Sequence, residues 1–243
     1  MEISGALLIF TSLLLGFFMI QGTALASRNL HSSPDLIRKD INRAGRAFLS
    51  WLFLVCVLGA TNALADFKAQ PPGFILFLSV MLVYTICLAS SKVGKTLVEG
   101  LPIRYLVGFQ SFRILSELAL FAAYKEGLAP IQMTVMGMNH DLITGVSALL
   151  MAYLLTKKAS RPMLTAWNIL GLLLLIKVVV ISVLSTPSSL RFFMNEPANT
   201  FIARMPYILL PGILVSFALL GHLLVFRWLW RKEGNLVSAP SLL

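Results

Sequence analysis

The 243-residue chain is 58% hydrophobic and only 12% charged, with a mean hydropathy of +0.85 and a formal net charge of +10. No soluble globular domain of this length has that composition, so the chain reads as a polytopic membrane protein, and its positive charge calls for no nucleic-acid partner. Its two cysteines, Cys56 and Cys87, both lie inside apolar runs and imply no disulfide framework.

A helix needs about 20 residues to cross a bilayer. Seven apolar runs fit, at roughly 5–25, 47–65, 73–91, 104–124, 141–156, 163–185 and 207–226. The predicted fold is all-α, a single seven-helix transmembrane domain spanning 1–243. Lys and Arg alternate by loop. They cluster after the first run (Arg28, Arg38, Lys39, Arg43, Arg46), the third (Lys92, Lys95 and then Arg104), the fifth (Lys157, Lys158, Arg161) and the seventh (Arg227, Arg231, Lys232), which accounts for 14 of the 20. The opposite loops hold Lys68, Lys125, Arg191 and Arg204, leaving Arg113 and Lys177 at membrane depth. The positive-inside rule then predicts an amino terminus outside and a cytoplasmic carboxyl terminus, as in a multi-pass protein in contact with membrane lipids.

The first run ends in Ala24-Leu25-Ala26, which resembles a signal-peptidase site. Glu2 and no basic residue precede it, whereas five basic residues follow, so a retained anchor is expected. Residues 35–41 can form a short amphipathic helix capped by Ser32 or Ser33 ahead of Pro34; a solvated basic loop at anionic headgroups is the other reading. Runs two and three form a hairpin around the prolines Pro71-Pro72. Trp51, Asn62 and Tyr84 are assigned no chemistry.

The fourth run carries the polar residues. At about 100° per residue, Gln110, Arg113, Glu117 and Tyr124 fall within an arc of roughly 60°, with Phe112, Leu115, Ala119 and Ala122 opposite. Arg113 and Glu117 are same-face neighbours able to pair. A charge at bilayer depth costs from about 2.5 to well over 10 kcal/mol, which marks a functional site by default; a pair that only ties helices together is the alternative.

The stretch from Lys125 to Asp141 is too apolar for a free loop, and the segment is expected to dip into the mouth of the bundle, with Asn139 or Asp141 capping the next helix. Its Met133, Met136, Met138 and His140 are potential ligands, the thioethers suited to Cu(I), or else interfacial packing. Run six holds Asn168 and Lys177. At 1.5 Å per residue Lys177 lies about 12 Å below Ser185 and Glu117 about 10 Å below Tyr124. Their matched depth permits pairing, directly or through water; the alternative is a Lys177 that snorkels to the headgroups. Further on, Glu196 is available to Arg191 or Arg204, Pro211-Gly212 is expected to kink the last run, and His222 reads as a hydrogen-bond partner between helices.

The segments FRILSEL, KEGLAPIQMT, GMNHD, TAWNILGLLLL, NEPANTFIARMPYILLP and GHLLVFRWL, spread over residues 102–229, resemble a functionally uncharacterised family of bacterial polytopic inner-membrane proteins. The resemblance implies a helical fold and weight for Arg113, Glu117, Asn139, Asp141 and Asn168, and it imports no activity. Met136 and His140 stand where acidic and aromatic residues are usual, and Lys177 where an uncharged polar residue is. No nucleotide loop, Ser/His/Asp set, CxxC pair or HExxH helix occurs, so no enzyme activity is indicated. The expected function is an outward-facing intramembrane pocket of Gln110, Arg113, Glu117, Tyr124, Asn139, Asp141, Asn168 and Lys177 that binds or passes a small solute or ion. The alternatives are a sensor or assembly factor for a lipid- or quinone-like molecule, and copper handling by the Met-rich segment.

Overall fold

Every regular element among residues 2–157 and 159–231, which this computed structural model describes, is helical. Six segments are long and apolar enough to cross a membrane: α1 (Ile3–Leu30), α2 (Pro34–Ala60), α3 (Gly73–Ser90), the interrupted stretch Ile103–Lys125, a helix over Arg161–Leu184, and Leu210–Leu229. The remaining predicted span forms a helix of 16 residues, Asp141–Thr156. At 1.5 Å per residue it is roughly 24 Å long, against a hydrocarbon core of about 30 Å. Lys158 and Lys232, two members of the basic clusters, lie outside the described residues.

The boundaries differ from expectation in two places, both on the basic end of the bundle. Residues 35–41 are no separate helix. Pro34 occupies the first turn of α2 behind Ser33, where its missing N–H and fixed φ fit, and the amphipathic stretch continues directly into the span. Asp40, 7% exposed, fastens this extension to α1: it accepts from the Ser27 hydroxyl at 2.9 Å and pairs with Arg43 at 2.8 Å. The basic loop after α3 also folds, into α4 (Lys92–Gly100), capped by the Ser91 hydroxyl, which accepts from the Val93 N–H at 3.1 Å.

The fourth span is α5 (Ile103–Gly108), a 3₁₀ turn (Phe109–Phe112) and α6 (Arg113–Lys125). α7 (Asp141–Thr156) and α8 (Arg161–Leu184) follow, and the last span opens with a π-helical turn, Leu210–Val215, before α9 (Ser216–Leu229). Pro211 supplies no N–H to the turn, in keeping with the expected irregularity. Trp51, assigned no chemistry from the sequence, is 4% exposed and donates its indole N–H to the Gly212 carbonyl at 2.7 Å, satisfying backbone in the irregular turn.

The last span is the axis of the bundle. α9 packs against α3, α4, α5 and α8, and 67% of its span is buried, against 22% for α8 at the periphery. The end opposite the basic loops is rich in folded connections. Between α6 and α7 a 3₁₀ turn (Ile131–Met133) brings Gln132, Met133, Thr134 and Asn139 into buried positions. This segment occupies the depth that the short α7 leaves open, so irregular backbone is covered by protein as it must be.

A central polar network and the cavity beside it

The 3₁₀ turn in the fourth span places the site. Such a turn has about three residues per revolution, so Gln110 and Arg113 eclipse one another on its inner face, and the α-helix that follows adds Glu117 one turn on. All three are buried, at 0%, 1% and 4% exposure. The Gln110 amide donates to the Ala218 carbonyl on α9 at 3.0 Å.

Arg113 does not turn to Glu117. Its guanidinium forks onto Asp141 at the start of α7, with Nε to Oδ2 at 2.7 Å and Nη2 to Oδ1 at 2.6 Å. The first contact is a hydrogen bond and the second an ion pair, since Nη2 and Oδ1 are buried without a directed hydrogen bond. Its Nη1 lies 3.0 Å from Nε2 of His222 on α9. Arginine only donates, so Nε2 is the acceptor and the ring proton resides on Nδ1, which then donates to Asn168 Oδ1 at 2.8 Å. Asn168, on α8, completes the exchange by donating to the His222 carbonyl at 3.2 Å. Four spans thus meet in one hydrogen-bonded chain. Close approach of their backbones depends on small residues: a Cβ at Gly171 would stand 2.7 Å from His222 Cε1, and one at Gly145 3.0 Å from the Ile114 nitrogen.

Asn139 links the chain to Glu117. Its Oδ1 accepts from the Asp141 N–H at 2.9 Å, capping α7, and its amide donates to Glu117 Oε1 at 2.6 Å and to the Met133 carbonyl at 3.0 Å. Every hydrogen-bonding position of Asn139 except its second lone pair is used. Glu117 is less well served: Oε2 is buried without a partner, and so is the neighbouring Ser116 hydroxyl. Both residues line a cavity of about 40 Å³ with Phe112, Met133, Leu175 and Leu214. A water occupies about 10–15 Å³ on this measure, so the cavity holds two or three water-sized groups.

Of the eight predicted pocket residues, five join this network, Arg113, Glu117, Asn139, Asp141 and Asn168, and a sixth, Gln110, is buried beside it with a separate bond to α9. Tyr124 is half-buried at the far end of α6, packed on the core. Lys177 is not brought to Glu117; its Nζ lies 2.9 Å from His140 Nδ1, which also lies 2.8 Å from the Met138 carbonyl. α8 turns Leu175, Val178, Val179 and Ser182 to the cavity, so Lys177 falls beside the exposed stripe of Leu173, Ile176 and Val180. The methionines differ in exposure: Met133 is 1% exposed in the core, whereas Met136 and Met138 are 68% and 42% exposed.

His222 was read as a tie between helices, not as part of a pocket; its lone polar ring in an apolar run was the available signal. A second polar cluster at the loop-rich end, of which only the Arg191–Glu196 pair was expected, draws its members from two connections and the end of α8. There Gln132 donates to Ser185 and accepts from Asn195, each at 2.9 Å, and Asn199 donates to the Ser182 carbonyl at 2.9 Å. Glu196 takes Arg191 at 2.8 Å and the Ala198 N–H at 2.7 Å, and these bonds hold its carboxyl below the usual range. The start of α1 is fastened at the same end, where Ser4 bonds Glu126 and Tyr207, and Tyr207 bonds Glu2.

No curated protein and no solved structure matches the chain. One family profile does, over residues 72–230, a range that takes in the whole network from Gln110 to His222 and leaves out α1 and α2. The chain therefore belongs to the family described as a domain of unknown function, DUF8737.

Proposed function

We propose that this is a seven-span protein of a bacterial inner membrane, with its amino terminus outside and its carboxyl terminus cytoplasmic, whose central site binds and passes a small monovalent cation, the proton included. The alternation of basic loops supports the orientation, and α7 supplies the seventh crossing that the odd count requires. A cysteine introduced at Lys157 should accordingly resist a membrane-impermeant thiol reagent in intact cells while one at Lys68 reacts. Labelling of position 157 from outside would overturn the orientation.

The observation that carries the functional reading is the unpartnered Oε2 of Glu117 facing a cavity of about 40 Å³. The charges around it do not balance. Arg113 is matched by Asp141, His222 accepts from Arg113 as a neutral ring, and Glu117 remains as one carboxylate in excess. A buried carboxylate is kept only with a counter-charge, and the cavity admits a small cation or a proton with one or two waters, and no larger solute. The Ser116 hydroxyl, likewise unpartnered, belongs to the lining of the same cavity and supports this reading.

Reconstitution into liposomes bearing a sodium or proton gradient tests this. The parent protein should dissipate one of the gradients faster than empty vesicles, and Glu117→Gln should abolish the difference. Equal flux through both proteins, or none above empty vesicles, would overturn the reading.

A further inference from the structure

A much larger hollow lies on the other side of Phe112. It measures about 710 Å³ and runs between α1, α4, α5 and α9, with walls that are almost wholly apolar. Gly22 on α1 and Gly108 on α5 help to hollow it out, since neither presents a side chain to it. Phe18, Leu25 and Tyr105 are 44%, 44% and 49% exposed along its edge, so the groove opens sideways toward the surrounding membrane.

Its chemistry changes at the basic end. Arg104 lines the mouth there, exposed and 5.2 Å above the Tyr105 ring. Arg28 follows Gln21 and Leu25 by seven and three residues on the same face of α1, which places a second exposed guanidinium in the last turn beyond the groove. Neither arginine forms an ion pair among the described residues. An apolar trough of acyl-chain dimensions that ends at two unmatched cations is complementary to one class of molecule, a phosphate-headed diacyl lipid.

We infer that this groove binds one anionic glycerophospholipid, with its phosphate on Arg104 and Arg28 and its chains packed along α1 and α5. Phe112 lines both hollows, so a chain seated in the groove packs against the ring that closes the cavity beside Glu117. The inference rests on the groove and its arginines alone and does not depend on cation passage.

Native mass spectrometry of the full chain in detergent, with phosphatidylglycerol and phosphatidylcholine of identical chains added in competition, tests it. The parent should retain one phosphatidylglycerol per chain in preference to phosphatidylcholine. Arg104→Gln, at an exposed position that does not threaten folding, should weaken retention about fivefold, and Arg104→Lys should recover most of it. Gly22→Leu, whose first added carbon meets only ordinary contacts with Leu97 and Leu101 at 3.7 Å, should block the groove and remove the bound lipid. Equal retention of the two lipids by the parent, phosphatidylglycerol held unchanged by Gly22→Leu or Arg104→Gln, or a neutral long-chain molecule copurifying in the groove would each overturn it.

Discussion

Arg113 and Glu117 stand one turn apart on α6, yet they sit in polar surroundings of opposite design. Around Arg113 the charges are matched: Asp141 accepts from Nε at 2.7 Å and lies 2.6 Å from Nη2 in an ion pair, His222 takes Nη1, and Asn168 fixes the histidine. Around Glu117 one oxygen is held by Asn139 and the other lines a cavity with no partner and no cation paired to it. A charge-matched network rigidifies and specifies the packing of helices, whereas a carboxylate without a counter-charge in the same medium keeps capacity for something that comes and goes. The first is therefore architecture and the second the place to look for function.

The comparison is broken most severely at Asp141. Asp141→Ala strands a buried guanidinium, and losing one partner of such a pair costs about 3–5 kcal/mol, which is a large part of a domain's stability. Thermal unfolding in detergent should show a steep loss for Asp141→Ala and recovery of part of it when Arg113→Met is added, because the double change removes both charges together. A double variant as unstable as the sum of the singles would mean that the pair is not the keystone of this junction.

His222→Leu should come next. It removes the acceptor for Arg113 and the donor to Asn168 Oδ1, leaving two buried groups unmatched in a space that Gly171 has shaped around the ring. A buried group left unpaired costs about 1–3 kcal/mol. The expected result is a smaller fall in the unfolding temperature than for Asp141→Ala; no fall at all would place the histidine outside the load path of the network.

How much of this was legible beforehand follows the same division. Gln110, Arg113 and Glu117 declared themselves, because a polar stripe in an apolar run is visible at helical spacing, and of the two residues offered as the cap of the next helix Asn139 takes its first N–H whereas Asp141 is its first residue. What spacing could not reveal was partner choice. Same-helix geometry paired Arg113 with Glu117, but a guanidinium forks onto a carboxylate that meets it face on, and Asp141 on the neighbouring helix does so. The 3₁₀ turn that aligns Gln110 with Arg113 left no mark in FQSF, which carries neither glycine nor proline. Composition likewise marked the stretch that folds as α4 as loop, since a nine-residue helix is too short to show as a span. The seven apolar runs were plain, although six form helices of crossing length and the other forms a helix of 16 residues.

The smallest expected effect is also the sharpest discriminator, because it concerns two charges at matched depth that the fold keeps apart. Lys177 lies against His140 at the edge of α8, whereas Glu117 bonds Asn139 inside the bundle. Glu117→Gln retains an oxygen for Asn139 and removes an unbalanced charge, so it should leave thermal stability unchanged or raise it slightly while abolishing flux. Lys177→Met should cost little, as a half-buried group whose contact with a histidine is worth at most about 1 kcal/mol. Residues without a shared partner give additive losses within about 0.3–0.5 kcal/mol, and the double variant should therefore unfold where the two singles predict. A coupling well beyond that range would bring Lys177 to Glu117 in the membrane, supply the missing counter-charge from the protein itself, and remove the need for a bound cation.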